Sequence, residues 1–513
     1  MITMTSALLR TNKLFGDRPA IIDAEMNFTW SEHIVRVQKL ASALADLGIE
    51  KGDRFGIIGA NSFRYTELIH AGYWAGAIPV PINHRLAPPE ILHILKDAEI
   101  KLLALSEDYL SLTDDDLLAP WADKRLAISA NSPLDTVPAL DDLLNAADPV
   151  KAHDPAEDDL AILLYTGGTT GRSKGVQLTH GNVCSNGYQV AIAMEVVKED
   201  IYLHVAPMFH AADLLGTAYT LLGCAHSYLP VFSPTGALKA IEDYKVTQAM
   251  MAPTMVIMIL EEPTFDDYDI TSYRNLFYGS SPMAAEWVEK SIQRFTNANV
   301  QQGYGLTETS PILTTLDADD HSNAIKSGDT SILRAAGRPL LGIDLKILDD
   351  AGNEVPAGEA GEVCVRGPNV TPGYLNRPDE NEKAFKNGWF HTGDVGRVDE
   401  NGVMFLMDRK KDMIVSGGEN IYTSEVEAAL YKHPDVFECA VIGVPDDKFG
   451  ESLFAVIVTA PGKTLNDEII IDHCRELIAG YKIPRKMDFV DALPKSAMSK
   501  ILKNELRDIY NKK

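Results

Sequence analysis

The sequence predicts a multidomain α/β protein, and three patterns in its 513 residues say so. Strand-like and helix-like segments alternate between residues 31 and 106, the mark of α/β layers with parallel strand pairing. Between about Val363 and Phe405, short strand-like pieces alternate with turns such as RGPNVTPGY and DENGVM, which predicts a β-rich subdomain. After DRKKD (408–412) the pattern resets into helix, turn, strand and a further helix, which predicts a small α+β domain. A chain of this length exceeds one ordinary core and suggests two or three domains. The expected division is 1–408 and 409–513.

The elements follow in order. Residues 31 to 47 have an amphipathic period, with Ile34, Val37, Leu40, Ala41, Leu44 and Leu47 on one face and Ser31 as the expected cap. RFGIIG (54–59) reads as a short apolar strand, and Ser62 to Ala75 as a second helix. GAIPVPI continues as a strand, Pro88 to Asp97 as a helix and KLLALS (101–106) as a strand. The stretch from Glu107 to Asp159 is rich in Asp, Ala, Leu and Pro and reads as a connection with short elements. LAILLYT (160–166) is an apolar strand that runs into a Gly/Thr loop, and the residues after the loop, GVQLTHGNV, read as strand and turn. In the last stretch SEVEAALYKHPDVFECAVIGVPD reads as helix, turn and strand, and DEIIIDHCRELI as a helix.

Composition narrows the function classes. Hydrophobic residues make up 45% and charged residues 23%, as in a soluble globular protein. The net charge of -26 repels a phosphate backbone and an anionic membrane surface, so no nucleic-acid partner is expected. No apolar stretch reaches membrane-spanning length, and the N-terminus lacks the apolar run of a signal peptide. Five scattered cysteines form neither a CxxC pair nor a metal-ligand spacing, which fits a reducing cytoplasm.

The densest chemical signal is YTGGTTGRSKG (165–175). Gly167, Gly168, Gly171 and Gly175 let the backbone bend close to an anion, and successive N–H groups can then cradle phosphate oxygens. Thr166, Thr169 and Thr170 add hydroxyl donors and Lys174 adds charge. The bland alternative is an exposed turn, but such a run directly after a buried strand favours phosphate. A Walker A loop needs Gly-Lys followed by Ser or Thr and a helix, whereas Arg172 and Ser173 stand between Gly171 and Lys174 here.

This loop resembles the phosphate loop of the ANL adenylate-forming enzymes: acyl- and aryl-CoA synthetases, luciferases and peptide-synthetase adenylation domains. Further motifs of that family follow in order: YGLTET (304–309), GWFHTGD (388–394), DRKKDMIVSGGENIYTSEVE (408–427) and LPKSAMSKILKNELR (493–507). Five ordered motifs across nearly the whole chain make the resemblance specific. It implies a large N-terminal adenylate-forming domain, with two α/β subdomains and a β-barrel-like one, and a small mobile C-terminal domain. It also implies roles. Tyr304 packs on adenine opposite Gly279, Ser280 and Ser281 of GSSPM; Thr307 contacts phosphate and Glu308 holds Mg²⁺. Read by residue type alone, Thr307 and Glu308 could start a helix, but a hard cation also prefers a carboxylate with phosphate oxygens. Asp394 accepts the ribose hydroxyls beside Arg409, Lys411 is the pivot between domains, and Gly418 lines the tunnel for the thiol.

Lys500 is the catalytic lysine of the resemblance, poised to offset the charge that builds when a carboxylate attacks a phosphate. Three departures stand out: Ser499 where the family usually has glycine before this lysine, Gly167 for a common Ser and Ser173 for a common Pro. His210, in APMFHAADLLG, either borders the acyl pocket or is a packed core histidine, with equal weight on each. If the small residues Ala211, Ala212 and Gly216 line a pocket, it is roomy. The expected reaction joins a carboxylic acid to CoA through an acyl-adenylate, with ATP, CoA and Mg²⁺ and with a hydroxycinnamate-like or a medium- or long-chain fatty acid. A carrier protein as acceptor, a luciferase-like activity and a P-loop phosphotransferase are the rivals, the last without its motif; a homodimer is left open.

Overall fold

The structure is a computed structural model that describes residues 2–131, 134, 136–166, 173–281, 283–416, 419–446, 449–495 and 501–511. The chain divides into two compact units. One comprises Met1–Leu345 and Val365–Phe390, the other Lys346–Cys364 and His391–Lys513.

In the first unit, the alternating pattern forms a four-stranded parallel sheet in the order Ile78–Pro81, Arg54–Ile58, Leu102–Leu105, Arg125–Ala127. The helix Pro88–Asp97 has the expected bounds and buries Ile91, Ile94 and Leu95, the i, i+3, i+4 stripe of an amphipathic helix. The helix Trp30–Asp46 starts one residue earlier than expected. Its cap is Thr29, not Ser31: the Thr29 hydroxyl accepts from the Glu32 N–H, and the Glu32 carboxylate accepts from the Thr29 N–H. That reciprocal pair satisfies two donors at once, which a hydroxyl inside the first turn cannot do.

A nine-stranded sheet dominates the same unit. Its order is Arg338–Pro339, Ile312–Leu316, Asn299–Gly305, Asn275–Gly279, Gln248–Met251, Ile201–His204, Ala225–Tyr228, Pro19–Ile22, Asn27–Thr29. A third, three-stranded sheet holds the hairpin of Leu160–Thr166 and Lys174–Thr179. The expected turn after that hairpin is instead the start of a helix, His180–Ala193, capped by Thr179 and Asn182. Gly181 and Asn182 in its first turn mimic turn chemistry, yet Asn182 completes the capping box there.

The second unit carries the strands Ile414–Ser416, Glu419–Ile421, Val436–Asp446, Gly450–Thr459 and Lys486–Phe489 in one sheet. The helices Thr423–Leu430 and Asp467–Arg475 bury Val426, Leu430, Ile470 and Cys474 in one apolar cluster. The helix–turn–strand–helix expectation therefore holds in this stretch. All five cysteines are buried, and none is joined in a disulfide.

The core of the first unit hides an aromatic and histidine cluster that nothing in the sequence announced. His33 Nε2 lies 2.9 Å from His70 Nδ1, and His204 Nε2 lies 2.9 Å from His226 Nδ1. Trp30 packs edge-on against both His33 and His226. Each pair needs one ring nitrogen to donate and the other to accept, and burial favours the neutral form of His33, His70 and His226. Burial accordingly pulls His33 and His226 well below the ordinary histidine value and His70 down to about 3. In the unfolded chain the same three rings take up protons near pH 6.5. The unfolded state then binds more protons below that pH, so stability falls as pH drops. Three such histidines cost about 4 kcal/mol per pH unit below about pH 6. Denaturant titrations at pH 7, 6 and 5 check this, and a flat stability profile across that window would contradict it.

Candidate active site

Six strands of the large sheet run parallel: Pro19–Ile22, Ala225–Tyr228, Ile201–His204, Gln248–Met251, Asn275–Gly279 and Asn299–Gly305. From Ile201–His204 the chain steps to one neighbour, Ala225–Tyr228. It then crosses back to Gln248–Met251 on the opposite side and continues outward. The strand order therefore reverses between Ile201–His204 and Gln248–Met251. In open parallel sheets, ligands bind outside the carboxyl ends of the strands at such a reversal. Expected site residues follow three of these carboxyl ends: His210 after His204, Gly279 to Ser281 at the end of their strand, and Tyr304 to Glu308 at the end of theirs.

Close packing shapes this edge. A side-chain carbon on Gly279 would lie 2.7 Å from the Gly303 carbonyl oxygen, and one on Gly305 only 1.9 Å from the Pro311 oxygen. Both glycines are needed for the backbones to approach each other. Ser280 follows with a positive φ of 73°, and Ser280 and Ser281 are exposed beyond the strand end. Tyr304 is half-buried opposite Thr314.

Thr307 and Glu308 belong to a single 3-10 turn, Thr307–Thr309, rather than the start of a helix. The turn is held from below by buried side chains. The Asn369 amide donates to the Thr309 and Ile312 carbonyls at 2.7 and 3.1 Å, and Asn186 exchanges hydrogen bonds with Ile312. Buried amides that bond several backbone groups at once rigidify a backbone. Glu308 is itself buried, and its Oε1 accepts a 2.8 Å hydrogen bond from the Tyr374 hydroxyl. The Glu308 carbonyl accepts from the Thr371 N–H at 2.8 Å.

The Gly/Thr loop joins the two strands of the hairpin, in which Tyr165 pairs with Gly175 and Thr166 with Lys174. A strand, not a helix, follows the loop, as the argument against a Walker A motif requires. Gly167, Gly168, Thr169, Thr170 and Gly171 lie outside the described residues. The side chain of Lys174 is well placed: its Nζ is 2.5 Å from Glu380 Oε2 and 4.5 Å from the centroid of the Tyr374 ring. Tyr374 thus touches both Lys174 and Glu308, two residues 134 positions apart in sequence. Sequence reading missed Tyr374 and Glu380, since an aromatic and an acid in a turn-rich stretch carry no periodic signal.

His210 is half-buried and caps the short 3-10 turn Ala211–Leu215, its Nδ1 accepting from the Ala212 N–H. The segment that delivers it is pinned by Asn61, another residue sequence reading missed. Asn61 Nδ2 donates to the His204 and Ala206 carbonyls at 3.0 and 2.9 Å, and its Oδ1 accepts from the Met208 N–H at 2.9 Å. Ala211 and Ala212 are buried. Gly216 does not widen a pocket, because a side chain there would meet the His204 ring at 2.7 Å. Its smallness makes room for that ring.

In the second unit, Asp394 and Arg409 face each other on paired strands. Arg409 Nε lies 2.7 Å from Asp394 Oδ1, and Asp394 is 5% exposed. The two residues expected at the ribose are therefore brought together. Lys411 is exposed in the turn that follows, where the Asp412 N–H donates to the Arg409 carbonyl at 2.8 Å. Gly418 and Lys500 lie outside the described residues. Those that flank the Lys500 segment are paired, Lys495 bridging to Ile501 and the Leu502 N–H donating to the Pro494 carbonyl.

Comparison with known proteins gives a consistent answer. The AMP-binding enzyme family matches residues 8–375, and the AMP-binding enzyme C-terminal domain matches 425–500. A feruloyl-CoA synthase from Amycolatopsis sp is 38% identical over 482 residues, 93% of each chain. The fatty acid–[acyl-carrier-protein] ligase ScoC of Streptomyces coeruleorubidus is 34% identical over 506 residues, 96% of this chain and 93% of that one. The crystal structure of ATP-bound MatB from Rhodopseudomonas palustris superposes with a TM-score of 0.88 at 30% identity, over 100% of this chain and 99% of that one.

Proposed function

The chain belongs to the AMP-binding enzyme family, and from that premise we propose that it forms the CoA thioester of an aromatic, hydroxycinnamate-like acid. It is an ATP-dependent acid:CoA ligase of the AMP-forming kind, with ATP, CoA and a small carboxylic acid as substrates. The observation that carries the choice of acid is the likeness to feruloyl-CoA synthase over 93% of both chains. A reducing cytoplasm suits its five buried cysteines, none of them in a disulfide.

The first step joins two anions. A carboxylate oxygen of the acid forms a bond to the α-phosphorus of ATP, the bond from that phosphorus to the bridging oxygen breaks, and pyrophosphate leaves. We assign Lys500, the backbone of 167–171, Thr307 and Lys174 to the phosphate charge in this step. Glu308 suits Mg²⁺: it is a buried carboxylate fixed by Tyr374, and a hard cation takes carboxylate and phosphate oxygens together. Bound there, Mg²⁺ would neutralise phosphate charge. Tyr304 with Gly279, Ser280 and Ser281 is assigned to adenine, and Asp394 with Arg409 to ribose. In the second step the CoA sulfur bonds to the acyl carbon, the thiol proton is lost, and the carbon–oxygen bond to AMP breaks. AMP leaves readily where the original carboxylate oxygen would not.

A second reading, transfer of a fatty acid to a carrier protein, is favoured by the likeness to ScoC. Pyrophosphate release, measured over hydroxycinnamates and short, medium and long fatty acids with CoA or a phosphopantetheinyl carrier protein, separates the two. Hydroxycinnamates with CoA are expected to lead in kcat/KM by about tenfold or more, the scale that pocket fit alone supplies. A preference for fatty acids would overturn the choice of acid, and a preference for the carrier would overturn CoA.

A further inference from the structure

We propose that Glu362, Cys364 and His391 form a binding site for one thiophilic divalent ion of the Zn²⁺ type. All three lie in the second unit. Glu362 and Cys364 are two residues apart on the strand Gly361–Arg366, so their side chains share one face. His391 comes from the strand Trp389–Val398.

The three donor atoms converge. His391 Nδ1 is 3.2 Å from Glu362 Oε2 and 3.3 Å from Cys364 Sγ, and all three atoms lie within 4.8 Å of one another. Metal–ligand bonds of about 2.0 Å to nitrogen and oxygen and about 2.3 Å to sulfur, in a tetrahedron, imply edges of roughly 3.3 and 3.5 Å. The two edges from His391 are close to those of ligands already gathered around one centre. Among the described residues this is the one such cluster of His, Cys, Asp and Glu.

Donor chemistry selects the ion. Thiolate and imidazole are soft or borderline ligands that favour zinc-like ions, whereas Mg²⁺ and Ca²⁺ prefer oxygen alone. Glu362 and a Cys364 thiolate supply two negative charges for a divalent cation. Cys364 is fully buried, while the Glu362 and His391 side chains are 15% and 16% exposed, which leaves a route for the ion and for a water as fourth ligand. On binding, the Cys364 thiol proton goes to solvent, and the metal–sulfur bond takes its place.

A cation already sits at this position. Lys410 Nζ lies 3.3 Å from Glu362 Oε2 and 2.8 Å from Asp350 Oδ1. An arriving ion competes with the Lys410 ammonium for Glu362 and leaves it on Asp350. Lys410 adjoins Arg409, and His391 is three residues from Asp394, so ion binding acts on the strand pair that carries the ribose residues.

The experiment uses the full chain freed of metal with a chelator. Co²⁺ and Zn²⁺ are titrated in the presence of excess Mg²⁺, with calorimetry for stoichiometry and absorption for the thiolate-to-cobalt band. One ion per chain, with that band, is expected. Cys364→Ser should abolish the band and weaken Zn²⁺ affinity by about 100-fold or more. His391→Gln is a second variant in case the first does not fold, and it should weaken binding likewise. Lys410→Ala should bind as well as the parent or better. A parent protein without the band, or a Cys364→Ser variant that keeps it, would overturn the site.

Discussion

Replacing Lys500 with alanine is expected to lower adenylate formation by about 10²–10³-fold, while acyl-AMP supplied to the variant should still be converted to the CoA thioester. The asymmetry follows from where charge builds. Only the first step brings a carboxylate against a phosphate, and an ammonium at that point stabilises the transition state more than the ground state. The second step expels AMP from a neutral acyl carbon and makes no such demand. The two half-reactions are read separately, by pyrophosphate exchange and by thioester formation from supplied acyl-AMP. Normal exchange in the variant would remove Lys500 from the first step.

Glu308→Gln is the other large effect. The amide keeps the shape and can still accept from the Tyr374 hydroxyl, which bonds Oε1 at 2.8 Å. What it loses is the negative charge for which a hard cation is bound. Adenylation is therefore expected to fall by about 10²-fold, with a higher Mg²⁺ requirement and little change in thermal stability. The Mg²⁺ dependence of pyrophosphate release is the deciding measurement. An unaltered dependence would return Glu308 to a structural role in its turn.

The elements that sequence periodicity located are those whose burial repeats along one face. The helix expected at about Pro88 to Asp97 was found there because Ile91, Ile94 and Leu95 mark its buried stripe. Its neighbour Trp30–Asp46 has an equally clear stripe, but Thr29 and Ser31 are both hydroxyl residues, and only the return contact from Glu32 distinguishes the cap. The helix at His180 was missed because Gly181 and Asn182 are turn residues in isolation. Candidate site residues could be picked out where they cluster in short motifs, as in YGLTET and the hairpin loop. They were illegible where tertiary contact creates the role. Tyr374 is defined by touching Lys174 and Glu308, and Asn61 by holding a segment almost 150 residues away. Gly216 shows the converse error, since a small residue suggests space and here the space is taken by His204.

The five buried cysteines have a practical consequence for spectroscopy. Each is at most 1% exposed, and burial pushes the Cys184 thiol up to about 12 and Cys474 up to about 11. A thiol with a pKa near 12 is ionised in only about 10⁻⁵ of molecules at pH 7, and the thiolate is the species that maleimides attack. Cys184 and Cys474 therefore add almost no background to a thiol-directed dye, and burial shields the other three. One cysteine introduced on the surface of each compact unit could carry a donor and an acceptor without first stripping out the native thiols. Distances between the units could then be followed through both half-reactions in an otherwise unaltered protein.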